Sequence, residues 1–310
     1  MSKLLGNREI RRELERGDYA HAYLITGEPG MGKKTLARLL AAKLVGDPVG
    51  LVERNEHPDV LWLAPKEKGK QIPVAEVRAF RQEAYVHPNQ SPKKVLIIDQ
   101  CECLNEFGQN AVLKILEEPP AYVVFLLLAA NREAMLPTIR SRCAVLELQP
   151  VGEAEGLAFL EERYPEEPQL KTILRAAGGN LGLAMEYLEE GTLLPYGDLG
   201  IKVLGKLCRN KMLEADKMLA GVPKGEFTSF LDSFARLCQD FLLFKTDSGQ
   251  ENIVFLESVL QIKGFLGRMK LEQLYRMASL TLESKTALRE NGNENLIKAC
   301  FIAEMGELLR

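Results

Sequence analysis

Two clusters of residues are suited to chemistry, and the first is GEPGMGKK, residues 27–34. Gly27, Gly30 and Gly32 let the backbone curl around an anion, with N–H groups and a helix amino end directed at it. Lys33 is placed to reach terminal phosphates. A phosphate-binding loop of this kind carries Ser or Thr after its lysine, where the hydroxyl coordinates Mg²⁺. Here that position is Lys34, and the hydroxyl comes one residue late, at Thr35. One step along a helix turns a side chain by about 100°, so Thr35 is aimed away from the metal's place. Lys34 instead brings an ammonium there, which weakens Mg²⁺ binding and partly replaces the ion.

The second cluster is VLIIDQCE, residues 95–102. Asp99 ends a hydrophobic run, well placed for a metal-bound water. ATPases of this class follow that aspartate with a glutamate that orients the attacking water, and here the residue is Gln100. An amide hydrogen-bonds water but is no base. Glu102 compensates only if the strand ends before it. Departures at both chemical positions argue against vigorous hydrolysis. Without a ligand, the ammonium of Lys33 or Lys34 is expected within salt-bridge reach of Asp99. The alternative is a strand-to-helix turn that kept its shape and lost its ligand.

These residues need a scaffold. HAYLIT (21–26), PDVLWLAP (58–65), KKVLIIDQ (93–100), YVVFLLLAA (122–130) and CAVLELQP (143–150) read as strands. Helical spacing runs through TLARLLAAKLV (35–45), IPVAEVRAFRQEAYV (72–86) and NEFGQNAVLKILEEPP (105–120), the last stopped by two prolines. Such alternation predicts a doubly wound parallel sheet with ligands at the carboxyl ends of its strands. After Pro150 the pattern becomes helical, with a glycine break in AAGGNLGLAMEYLEEG. Further on, Leu231, Phe234, Leu237 and Phe241 share one helix face, and Ile297, Phe301, Met305 and Leu308 another. The expected domains are 1–150 (α/β), 151–195 (small, helical) and 196–310 (helical bundle).

Bulk properties narrow the class. A chain of 310 residues exceeds one ordinary core, so two or three domains are expected. A net charge of −3 argues against a mainly basic nucleic-acid sheath. No apolar run reaches the roughly 18 residues of a membrane span, and the charged amino-terminal segment is unlike a signal peptide. A cytoplasmic protein is expected. The six cysteines lack paired CxxC spacing, and Cys101 and Cys103 have no His or Cys pair nearby, so reduced thiols are expected.

The strings NAVLKILEEPP and Ser-Arg-Cys, with HAYLITG and HPDVLWL, resemble the clamp-loader branch of the AAA+ proteins, nearest its delta-prime type from bacterial DNA polymerase III. The resemblance is strong over the first 150 residues and extends beyond them in layout only. It implies an AAA+ (RecA-like) α/β domain, then a small helical lid domain and an all-α carboxyl-terminal collar for oligomerisation. It implies that Ser141, Arg142 and Cys143 form the motif whose arginine reaches, in trans, the ATP of an adjacent subunit. A guanidinium suits that task, being always charged and rich in donors. The alternative is that Arg140 or Arg142 pairs with a surface carboxylate. Asn131 falls near the family's sensor position, for contact with a phosphate or water.

The departures carry information too. Lys34 and Gln100 look like the non-motor delta-prime type, not the hydrolysing gamma/tau type. GGNLGLAMEYL has no arginine where motor subunits carry their lid sensor. Many relatives hold a four-cysteine zinc module before HPD, but residues 43–60 contain no cysteine, so no zinc is expected and His57 is assigned to a turn. Lys66, Lys68 and Lys70 read as a solvated loop rather than a phosphate contact. The implied partners are gamma/tau motor and delta subunits, with the sliding clamp, the polymerase and primer-template DNA (without sequence specificity) met through the complex. The expected function is a non-motor clamp-loader subunit, with ATP a weak ligand at most. The alternatives are an ATP-hydrolysing motor subunit and a module that binds ATP without splitting it.

Overall fold

The computed structural model describes residues 4–47, 50–67, 69–190, 196–246, 253, 263–289 and 292–309. Lys68 and the expected domain border at 195 lie outside them. The chain divides into two compact units, Met1–Phe159 with Gly179–Leu183, and Leu160–Gly178 with Ala184–Arg310.

In the first unit, apolar runs without polar alternation form strands covered on both faces. They are β1 (Ala22–Thr26), β2 (Val60–Leu63), β3 (Lys94–Ile98), β4 (Val123–Ala129) and β5 (Ala144–Glu147). All pairings are parallel, in the order β2-β3-β4-β1-β5. Residues of β1, β3 and β4 are buried throughout, whereas edge strand β5 buries only Leu146. On one face Leu36, Leu40 and Leu44 of α2 (Lys33–Val45) pack with Tyr23, Ile25, Ile97 and Leu126. On the other, Val77 of α3 (Val74–Gln82) and Val112 and Ile115 of α4 (Glu106–Glu117) pack with Leu24, Leu96 and Phe125. Parallel pairing brings the ends of β1, β3 and β4, and hence Gly27, Asp99 and Asn131, to one edge of the sheet. A further helix, α1 (Arg8–Arg16), is absent from the sequence reading because only Ile10 and Leu14 give it an apolar side.

The second unit is helical among its described residues. The helices Gly197–Leu207, Phe227–Thr246, Leu271–Arg289 and Glu294–Leu308 enclose a core rich in phenylalanine. Phe301 meets the rings of Phe227, Phe230 and Phe234 edge-on at centroid distances of 6.2, 6.1 and 5.4 Å, the arrangement that ring quadrupoles favour. The expected face Leu231, Phe234, Leu237 and Phe241 is wholly buried.

His57 and Asp59 hold the entry to β2. The buried Asp59 carboxylate accepts hydrogen bonds from the backbone N–H groups of Asn89, Gln90 and Ser91 at 2.5, 3.0 and 3.0 Å. His57 Nδ1 accepts the N–H of Asp59 at 3.1 Å, which gives this histidine a place in a turn. Burial alone would raise the Asp59 pKa, but the hydrogen bonds outweigh it and the net direction is down. A depressed carboxyl pKa stabilises the fold above the ordinary value of about 4 and ceases to do so as pH falls through the folded-state value. Asp59→Ala strands three backbone donors and is expected to cost about 2–4 kcal/mol in urea unfolding at neutral pH. The gap from wild type should narrow below pH about 4; a gap constant with pH would contradict an ionised Asp59.

Candidate functional site

The loop that follows β1 bends through Gly27, Gly30 and Gly32, with φ of 149°, 87° and 92°. Two of its carbonyls are engaged by residues 179–183 of the same unit. Asn180 Nδ2 donates to Pro29 O at 2.8 Å, and the Gly182 N–H donates to Gly30 O at 3.1 Å. A Cβ on Gly182 would sit 2.5 Å from Gly30 Cα, and one on Gly30 would sit 2.5 Å from Asn180 Oδ1. Glycine at both positions is therefore a steric requirement of this closure. From the sequence, GGNLGLAMEYL shows only that an arginine is missing.

The lysines turn toward the protein. The Lys33 ammonium donates to the carbonyls of Gly27 and, at 3.0 Å, of Glu28. Burial lowers its pKa, working against the attraction of Glu102 and Asp99. Lys34 Nζ lies 2.8 Å from Asp99 Oδ2, within the reach expected from the sequence. The lysine side chain is 57% exposed and the carboxylate only 4%. Asp99 Oδ2 receives no well-aligned hydrogen bond, so this contact is chiefly one of charge. Thr35 stands one residue beyond, in the first turn of α2.

After Asp99 the chain leaves the sheet. Gln100 takes a left-handed φ of 53° and leads into the 3₁₀ turn Cys101–Cys103. The strand has thus ended before Glu102, the condition under which that carboxylate is available. Glu102 accepts the Ala130 N–H at 3.2 Å. The Asn131 side-chain oxygen accepts the Ala134 N–H at 2.8 Å, capping a short turn. Asn131 also lines a crevice of about 470 Å³ with Thr26, Gly27, Glu28 and Glu147. The donor set at the loop does not fit Mg²⁺: position 34 has no hydroxyl, and an ammonium holds the aspartate. Among the described residues no group of three or more His, Cys, Asp or Glu side chains is arranged to hold a metal.

A second set lies in the turn after the short helix Pro137–Arg140. Ser141 Oγ donates to Thr138 O at 3.1 Å. Arg142 Nη1 donates to the same carbonyl at 3.0 Å, and Nη2 meets Glu117 Oε1 at 3.0 Å. Arg140 pairs with Glu133 at 3.3 Å. Burial pushes the Cys143 thiol up to about 12, which keeps it protonated and inert. Both arginines thus have carboxylate partners, while Arg142 remains 36% exposed. Of the loop lysines, Lys66 pairs with Glu76 at 2.7 Å and Lys70 with Glu67 at 2.5 Å, and Lys68 lies outside the described residues.

Residues 6–152 match the family model described as "DNA polymerase III, delta subunit". DNA polymerase III subunit delta' of Haemophilus influenzae is 36% identical over 197 residues, 59% of this chain and 59% of its own. The subunit delta' of Pseudomonas aeruginosa is 34% identical over 179 residues, 53% of this chain and 55% of its own. The likeness is to the clamp-loader family, in its delta-prime form. Subunit gamma of Buchnera aphidicola (from Acyrthosiphon pisum) is 33% identical over 211 residues, 62% of this chain and 58% of its own. This chain therefore spans under two thirds of the length of each of these relatives. A DNA polymerase III gamma subunit-related protein of Thermotoga maritima aligns over 98% of this chain and 99% of its own, at 22% identity and a TM-score of 0.46. No helix among the described residues is long and apolar enough to cross a membrane.

The Lys34–Asp99 pair joins an exposed partner to a buried one, between the surface and interior limits for ion pairs. Lys34→Thr is expected to cost about 1–2 kcal/mol of stability in Mg²⁺-free buffer. Added Mg²⁺ with ATP should raise the melting temperature of this variant and leave wild type unmoved. Equal responses in differential scanning calorimetry would mean that the lysine does not block the ion.

Proposed function

We propose that this chain is a non-motor subunit of a DNA polymerase III clamp loader, delta-prime-like, working in the cytoplasm without zinc or a hydrolysed nucleotide of its own. The observation that carries this reading is the Lys34 ammonium at 2.8 Å from Asp99. It occupies the carboxylate that a motor subunit would use for Mg²⁺, and Gln100 adds no base beside it. In this reading Arg142, with Ser141 and Cys143 as its motif, serves the ATP of a neighbouring gamma/tau-type motor. The guanidinium stabilises charge spreading over the transferred phosphoryl group, a contribution of about 10³–10⁵ where such a finger operates. Residues 151–195 act as the lid, and 196–310 join a collar with motor and delta-type subunits. The assembly opens a sliding clamp and places it on primer-template DNA for the polymerase, with no base-specific reading by this chain.

The test is ATP turnover by a loader reconstituted from this chain and its partner motor and delta-type subunits, with clamp and primed DNA. Arg142→Ala is expected to assemble normally and to lower turnover at least about tenfold. Unchanged turnover in a fully assembled variant would remove the finger. Hydrolysis by the isolated chain, abolished in Lys33→Ala, would instead make it a motor.

A further inference from the structure

Glu117 stands at the last residue of α4, and Glu118 follows it. A helix ends in partial negative charge, so carboxylates are disfavoured there by the helix itself. Glu117 needs a reason of another kind, and its contact supplies one: its Oε1 lies 3.0 Å from Arg142 Nη2. On the other side Arg142 Nη1 donates to Thr138 O at 3.0 Å and reaches Ser141 Oγ at 3.4 Å. The guanidinium is thus held from two directions, by the end of a helix and by the turn that carries it. A guanidinium has five N–H donors. These contacts engage Nη1 and Nη2 and leave the Nε hydrogen for an incoming anion.

We propose that Glu117 is a positioning residue for Arg142, fixing the plane and direction of its guanidinium before a neighbour's triphosphate arrives; this rests on the reading of Arg142 given above. An unanchored arginine samples many rotamers, and ordering it at the moment of reaction raises the barrier. Anchoring by a carboxylate and a carbonyl does that ordering in advance. The pair is half exposed, with side-chain exposures of 36% for Arg142 and 47% for Glu117. Such pairs contribute little to folding, so a variant at Glu117 reports on aim and not on unfolding. Arg140, in the same turn, has a different carboxylate, Glu133, and is outside this arrangement.

The experiment is a double-mutant cycle in the intact reconstituted loader, with clamp and primed DNA: wild type, Glu117→Gln, Arg142→Ala and the double variant. Assembly is checked for each by gel filtration. Expected for Glu117→Gln is a fall of about tenfold in kcat for ATP, with KM within about twofold. In the Arg142→Ala background the same change should have no further effect, because the group that it positions is gone. A Glu117→Gln variant with wild-type kcat, beside a slow Arg142→Ala, would overturn the positioning role and leave the finger standing. Equal losses from Glu117→Gln in both backgrounds would overturn it as well, since the effect would then run through the fold. If Arg142→Ala itself turns over like wild type, the finger fails, and the role of Glu117 fails with it.

Discussion

A carboxylate at the end of a fully buried strand must have a positive charge beside it, and the functional edge of the sheet is organised around that need. Asp99 follows β3, whose five residues are all buried, and its own side chain is 4% exposed. An unpaired charge in such a place is costly. A metal ion answers the need in a chain that splits nucleotide; Lys34 answers it here, from the first turn of α2. The pairing joins the start of one helix to the end of a central strand. It tethers the carboxyl end of the glycine loop, where α2 begins, to the end of β3.

The same edge shows which parts of the structure were legible in the sequence. Five strands and helices α2, α3 and α4 were readable because unbroken apolar runs and helical spacing each have one economical burial. Their ends shrink inward, as at β2, where PDVLWLAP yields Val60–Leu63: prolines flank the run, and the Asp59 side chain binds the turn at residues 89–91. Helix α1 escaped because its few apolar residues give too weak a stripe among charges. The strand order β2-β3-β4-β1-β5 was not in the pattern at all. Periodicity says which residues are buried, not which strand lies beside which.

Site residues divide in the same way. Gly27, Lys33, Asp99 and Arg142 stand out locally, since their types and spacing carry the meaning. Their partners do not. Glu117 is 25 residues from Arg142, and Asn180 is 151 from Pro29; only the folded topology joins them. Lys34 with Asp99 is the intermediate case. Its two halves belong to motifs whose separation across a parallel sheet is fixed, so the contact followed once both motifs were recognised.

The shape of a ligand loop and the chemistry of a ligand are separable constraints, and here the loop keeps its glycine bends while Lys34 stands where a hydroxyl would. Several groups around the loop have partners within the chain. Lys33 rests on the Gly27 and Glu28 carbonyls, and Lys34 rests on Asp99. The Pro29 and Gly30 carbonyls are held by Asn180 and the Gly182 N–H. The last contact needs a residue without a side chain at 182, since a Cβ there would meet Gly30 at 2.5 Å. An arginine at that position would bring a cation for phosphate but force the two backbones apart. Direct closure and a side chain at 182 therefore exclude each other sterically, and this sequence has closure.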